Sequence, residues 1–427
     1  MALAQTAVKP ARDSKGHFLP KAKVDVRQAA VDAVVKAGKT LGAEVKMNGE
    51  FKVDTSKGSL DSTVSGQWMS RPDDQKFLSL KTLEQHVRAR GLAMVEETVV
   101  AKDVTLVGND QTGSMEVVHN NGILVPTNYV FGSIAYQAGA PASYLRTLTP
   151  SLAAACVNEG LRKEASGEVK LFHNGSQLRA VTSATYGRIY DADVVSAVRK
   201  IAGDGVGDTR WKVPGMIDWS KGTYNPYVDI SKDTTTLYAS DRDVFLFLVD
   251  DTHPIEIGKL ADGSPDYVFR GFYVWNSEVG ARSMGISTFL LRGVCCNRNL
   301  WGVEDQLTMS IRHTKFAPER FVEDFNKTLI AYSTSSVEPI VAKVDAAKKL
   351  ILVKTDDQRA EFFSKLGLTR AQAKAAVTRG VEEEGHTPTS AWDIAQCLTA
   401  LARYTSKTDE RVLLERKADV VMSKVAV

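Results

Sequence analysis

The stretch EVKLFHNGSQLRAVTS, residues 168–183, restricts the fold more than any other. Its Asn174-Gly175 pair accepts the positive φ angles of a tight turn and is flanked by alternating apolar residues, the strongest short-range signal for a β-hairpin. A second hairpin is expected in TTTLYASDRDVFLFLVDD, turning at Ser240 to Asp243. YVFRGFYVWN, NSEVGARSMGISTFLLRGVCCNRNL and LTMSIRHT supply further strands. No βαβ alternation is present. Hairpins in series predict an α+β fold, an antiparallel sheet with helices packed on one side.

Helical patterning brackets these strands. In NYVFGSIAYQAGAPASYLRTLTPSLAAACVNEGL, Asn128 can cap a helix running to Gly139 and Pro141 fits a second helix. Thr149 can cap a third, with Pro150 in its first turn. Ala135, Gly139, Leu145 and Leu148 have helix-turn-helix spacing, but only Ser143, Arg146 and Thr147 offer polar groups, so a packed hairpin is the better reading. A further helix should start near Asp191. After Pro318 the chain reads as helical to its end, with Ser390 and Asp393 as a capping box and Ile394, Leu398 and Leu401 on one face. This gives three regions: a basic, largely flexible arm over 1–75, an α+β core over 76–330, and a helical C-terminal region over 331–427. The arm holds one helical patch, with Val26, Ala30 and Val34 in register and Gly38 as a stop.

The chain of 427 residues has a formal charge of +3, which permits a nucleic-acid partner without requiring one. No run of about 18 apolar residues exists and the N-terminus lacks a secretory h-region, so a cytoplasmic protein with no membrane contact is expected. Cys156, Cys295, Cys296 and Cys397 show no Cys-x-x-Cys spacing and read as reduced thiols, with Cys295 and Cys296 as small apolar fillers. No cofactor motif is present: GDGVGD lacks the Lys-Ser/Thr of a phosphate loop, and no Gly-x-Ser-x-Gly elbow occurs. The best metal candidate is Asp250, Asp251 and His253, with Glu278 as a fourth group.

The arginines carry more information. Residues 270–320 contain Arg270, Arg282, Arg292, Arg298, Arg312, Lys315 and Arg320 against four acidic side chains. Aromatic residues interleave with them, among them Tyr273, Trp275 and Trp301. A guanidinium fork suits phosphate, and aromatic faces stack on unpaired bases. The alternative is that aromatics fill the core while arginines meet solvent or pair with Glu278 and Glu304. Along LTMSIRHT, Arg312 shares the polar face with Thr308 and Ser310; His313 follows it. Arg270, Arg282, Arg292, Arg298, Arg312, His313, Lys315, Tyr273, Trp275 and Trp301 therefore form the candidate nucleic-acid surface.

At these residues the chain resembles a phage- and plasmid-borne family of unknown function. The likeness rests on the Asn-Ser-x-x-Gly turn at Asn276–Gly280, the Val-Cys-x-Asn strand end at 294–297, and Arg312-His313-Thr314, with AVTSATYGRIYDADVV upstream. AGAPASYLRTL and AWDIAQCLTALAR are similar as well, so the likeness spans about residues 125–420. It implies a bacterial host cytoplasm and work around mobile DNA. The resulting expectation is a non-enzymatic DNA-binding protein, homo-oligomeric, binding or annealing single-stranded DNA in recombination or replication. The alternatives are a metal-dependent nuclease and an anti-defence protein that binds a host or phage protein.

Overall fold

The computed structural model describes residues 71–119, 122–164, 167–218, 223–224, 230–260, 262–292, 300–301, 308–403, 405 and 408–425. Residues 1–70, with the helical patch of the expected arm, lie outside them, as do Cys295, Cys296 and Arg298. The described chain opens with strand β1 (Lys76–Phe77) and helix α1 (Leu80–Leu92). A reciprocal Ser79–Thr82 capping box starts α1, satisfying two groups the first turn leaves open. Arg71, inside the expected arm, is buried and donates to both oxygens of Asp243 at 2.9 and 2.8 Å.

Residues 95–181 form one compact unit. It comprises β2 (Val95–Val100), β3 (Thr105–Asn109), β4 (Ser114–His119), β5 (Gly122–Pro126), α2 (Asn128–Gln137), α3 (Ala142–Leu145), α4 (Pro150–Glu164), β6 (Glu168–His173) and β7 (Gln177–Ser183). The sheet order is β2-β6-β7-β5-β4-β3, with β5 and β7 parallel. The β6–β7 hairpin turns where the Asn-Gly pair placed it. Gly175 takes φ +87° and the Asn174 side chain accepts from the Ser176 and Gln177 amides. The α2 cap is Thr127, whose hydroxyl accepts from the Val130 amide at 3.2 Å; Asn128 instead receives Arg146 at 2.6 Å. With α3 a single turn and Arg146 tied back to Asn128, residues 128–148 are a packed helical hairpin.

The second unit joins residues 71–94 to the chain from Thr182 on. After α5 (Asp191–Ala202) come β8 (Trp211–Lys212), the small pair β9 (Ile217–Asp218) and β10 (Thr223–Tyr224), β11 (Leu237–Ala239), β12 (Val244–Asp250), β13 (Ile255–Lys259), β14 (Pro265–Asn276), β15 (Met284–Arg292), β16 (Leu300–Trp301) and β17 (Thr308–Ile311). Helices then fill the remainder: α6 (Ala317–Thr334), α7 (Glu338–Lys349), α8 (Asp356–Lys365), α9 (Arg370–Glu384), α10 (Ala391–Arg403) and α11 (Thr408–Met422). The main path of the nine-stranded sheet is β1-β11-β12-β14-β15-β16, with β8, β13 and β17 also joining β12, β14 and β15 respectively. The β11–β12 hairpin closes through the Ser240 and Asp243 backbones, and the Ser390–Asp393 box starts α10.

Alternation along β14 and β15 gives the sheet two unlike faces. Even-numbered Leu246, Val274 and Ile286 pack with Leu80, Val194 and Phe325 of α1, α5 and α6. Val268 and Leu290, on the same face, pack with Phe363, Trp392 and Leu398 of the C-terminal helices. Odd-numbered residues carry the aromatics: Phe245, Phe247, Phe269 and Phe289, joined by Tyr273 and Trp275. Gly271 and Gly285 stand opposite Phe289 and Trp275 and leave room for their rings; a Cβ at either position would overlap the ring.

Arg270 and Arg292 fall on the helix-covered face, opposite Tyr273 and Trp275. The four cannot line one groove, which corrects the expectation that they share a nucleic-acid surface. Arg270 is buried and donates to the carbonyls of Ser335 and Ser336 at 2.6 and 2.8 Å, at the C-terminal end of α6. Cations there meet the negative end of the helix dipole. The Arg292 side chain, 3% exposed, donates to Asp266 at 2.7 Å and Glu384 at 2.6 Å, and to Gln396 at 2.9 Å. Burial disfavours its charge, but the two carboxylates more than offset that and hold its pKa above the ordinary value. In the same region Cys397 is buried against Gly380, and burial pushes its thiol up to about 12. Removing one partner of a buried charged network strands the other, at about 3–5 kcal/mol. Arg292→Ala should therefore cost about that much in denaturant unfolding; a loss under about 1 kcal/mol would mean the network contributes no more than an exposed pair.

Candidate nucleic-acid interface

Three segments distant in sequence meet at one end of the nine-stranded sheet: residues 186–191, the Asn276–Gly280 turn after β14, and Arg312–Phe316 after β17. Gly187 is the contact point. Its amide donates to the His313 carbonyl at 3.1 Å, and a Cβ there would overlap the Thr314 carbonyl. The Ile189 amide donates to His313 Nδ1 at 3.3 Å, leaving the ring proton on Nε2, towards the Arg282 carbonyl. Tyr186 stacks on the His313 ring, centroids 5.0 Å apart, and Arg188 lies 5.2 Å from the Tyr186 ring.

The turn after β14 supplies the interior of the site. The Asn276 amide group donates to the Ile189 carbonyl at 2.9 Å and to Asp191 at 2.7 Å. Glu278 accepts from the Asp191 amide at 3.1 Å, so the carboxylate at the N-terminus of α5 comes from this turn. The expected start at Asp191 is right in position, but the Asp191 side chain is no cap: it takes Arg90 at 2.7 Å, which also reaches Glu278 at 3.4 Å. Ser277 donates to the Arg242 carbonyl and accepts from the Ala281 amide, closing the turn.

The exterior is basic. Arg312, Lys315 and Phe316 are exposed, Arg282 is half-buried, and Phe316 leaves 60% of its surface open with the Lys315 ammonium 5.9 Å from its ring. Among the described residues neither Arg312 nor Lys315 makes an ion pair. Ser283 and Ser310 hydrogen-bond beside them across β15 and β17.

The other sequence-based candidates lie elsewhere. Arg270, Arg292, Tyr273 and Trp275 belong to the sheet faces described above. Trp301 is placed by its backbone alone, opposite Leu290. His313 is half-buried and held by Gly187 and Ile189, so its role is to lock the loop; this corrects its assignment to the contact surface. The metal set does not assemble. β12 starts beside Asn276 and ends at Asp250, about 20 Å away for six residues of strand, so Glu278 and Asp250 are at opposite ends. Asp250 accepts from Arg210 at 2.7 Å, from Thr252 and from His253, while Asp251 accepts from Lys212 at 2.7 Å. Burial raises the Asp250 pKa, but these hydrogen bonds outweigh it and hold the carboxyl below the ordinary range. Among the described residues no group of three His, Cys, Asp or Glu is arranged to hold a metal ion. Nor is any helix among them long and apolar enough to cross a membrane. Tyr186, Gly187 and Arg188 were not among the sequence-based candidates; the glycine inside the Tyr-Gly-Arg run was the signal for a close approach.

No known protein family, curated protein or solved structure matches the chain.

Burial pushes the His313 pKa down to about 4 from the ordinary 6.5. The unfolded chain therefore binds more protons between those values, so stability is full above pH 6.5 and falls towards pH 4. Two to three units correspond to a loss of about 3 kcal/mol. Unfolding midpoints measured from pH 7 to 4 should show this slope, and His313→Asn should flatten it. An unchanged slope in the variant would place the titration elsewhere.

Proposed function

We propose that the chain is a non-enzymatic nucleic-acid-binding protein that holds single-stranded DNA at the basic end of its nine-stranded sheet. The observation that carries this reading is the pair Arg312 and Lys315, exposed and without an ion pair among the described residues, beside the exposed ring of Phe316. Unpaired cations next to an open aromatic face suit a phosphate and its unstacked base. The Arg90–Asp191–Glu278–Asn276 network supports it by joining two of the three segments, and the contacts of Gly187 and Ile189 with His313 hold the third. The resemblance to a phage- and plasmid-borne family points the same way, to work on mobile DNA. A nuclease reading has less behind it, because Asp250, Asp251 and Glu278 are each committed to protein partners.

Fluorescence anisotropy with a labelled oligothymidine tests the reading. Affinity should fall as salt rises, with a log–log slope near −0.7 per phosphate contacted. Arg312→Ala combined with Lys315→Ala should weaken binding at least tenfold while shifting stability by less than about 0.5 kcal/mol. Arg312→Lys should keep only part of the affinity, because a point charge cannot reproduce the guanidinium fork. No binding at low salt, or an unchanged affinity in the double variant, would refute the site.

A further inference from the structure

The unit of residues 95–181 carries a different feature, a lack of charge. Residues 117–158 contain a single Asp, Glu, Lys or Arg, although such residues make up 25% of the whole chain. Residues 117–145 are the longest uncharged run in the sequence. The one charge is Arg146, which donates to the carbonyl and the side chain of Asn128 at 3.1 and 2.6 Å and lies 4.9 Å from the Phe131 ring. The segment includes α2, α3 and the first half of α4. Charges resume at its borders: Asp110 accepts from the Ser151 amide at 2.8 Å, and Glu159 pairs with Lys163 at 2.9 Å.

Burial does not account for the missing charge. Phe131 and Ile134 of α2, Leu145 of α3 and Val157 of α4 pack into one core with Met115 and Val117 of the sheet. The three helices therefore cover the same side of that sheet and turn their remaining sides outward together. Tyr136 leaves 85% of its surface open, Tyr144 60% and Leu152 51%, and Ser143, Ser151 and Ala155 are exposed as well. Gly132 lies one turn before Tyr136 on the outward side of α2, and a Cβ there would meet nothing within 4 Å. A solvent-facing surface normally mixes charges of both signs. An uncharged one with open tyrosines has the composition of the centre of a protein–protein contact.

We propose that this face joins two copies of the chain about a two-fold axis, with Tyr136 of each copy seated over Gly132 of the other. The chemistry of the face selects the occupant. Nucleic acid and anionic lipid both need cations, and the single arginine here is committed to Asn128. A charged protein surface would leave its own charges desolvated and unpaired against it. The fitting partner is a surface equally free of charge, and the chain supplies one in its own second copy. A two-fold axis lays a patch on itself, so the tyrosine knob and the glycine notch, one helical turn apart, meet twice. This inference concerns the 95–181 unit and does not rest on the nucleic-acid reading.

Sedimentation velocity of the full chain over a concentration series tests it. The parent should reach twice the 46.6 kDa of one chain. Tyr136→Glu and, separately, Gly132→Lys should each weaken association about tenfold or more, as loss of a central contact does. Their circular dichroism should match the parent, because Tyr136 is exposed and lysine is a better helix former than the glycine it replaces. An equimolar mixture of the two variants should associate again. It pairs the new carboxylate with the new ammonium at one contact and keeps tyrosine over glycine at the other. The proposal is overturned if the parent stays a single chain throughout, if either variant associates like the parent, or if the mixture does not recover. Flotation of the parent with neutral phosphatidylcholine vesicles would also overturn it, and would assign the tyrosines to a lipid surface.

Discussion

The guanidinium of Arg292 links the sheet to the helical C-terminal region. It sits at the end of β15, receives Asp266 from β14 on the neighbouring strand, and crosses to Glu384 of α9 and Gln396 of α10. A charge so deeply buried is tolerable only when its donors are matched, and here two carboxylates and an amide oxygen match them. Arg270, on the adjacent strand, has a related role: it ties the end of α6 to the sheet through backbone carbonyls. Arg270 and Arg292 are thus fasteners between the sheet and the helices packed on it.

The same alternation that sends these arginines inward sends the aromatic residues to the opposite face. Phe289 over Gly271 and Trp275 over Gly285 are cross-strand pairs in which a missing side chain makes room for a ring. Cross-strand contact of this kind stabilises a sheet by packing alone, with no ligand needed. At the end of the sheet a loop, a turn and a strand exit are held by Asn276, Glu278 and His313. The division is physical: paired charges and packed rings hold the fold, while Arg312 and Lys315 at the rim make no ion pair among the described residues.

Much of the fold was legible because its signals are local. Asn174-Gly175, Ser240–Asp243 and Ser390–Asp393 each encode a turn or cap within four residues, and all three form. The site was legible only in part. Arg292 and Glu384 are far apart in sequence, so nothing local announced that the arginine is paired. The carboxylate that meets the start of α5 was hidden for the same reason, because Glu278 comes from a turn 87 residues away. One signal was present and underused: Arg270 has opposite parity to Tyr273 and Trp275 in a single strand, which already places them on different faces. Arg312, by contrast, keeps the exposure that its parity in LTMSIRHT implied.

The central claim is that the basic end of the sheet, and not its aromatic face, receives the nucleic acid. Ultraviolet cross-linking of the full chain to oligothymidine, followed by peptide mass spectrometry, tests it most directly, because adducts form only where a base touches a side chain. The adduct is expected on the peptide containing Phe316. Adducts centred on Tyr273 or Trp275 would contradict the claim and return the binding surface to the aromatic face.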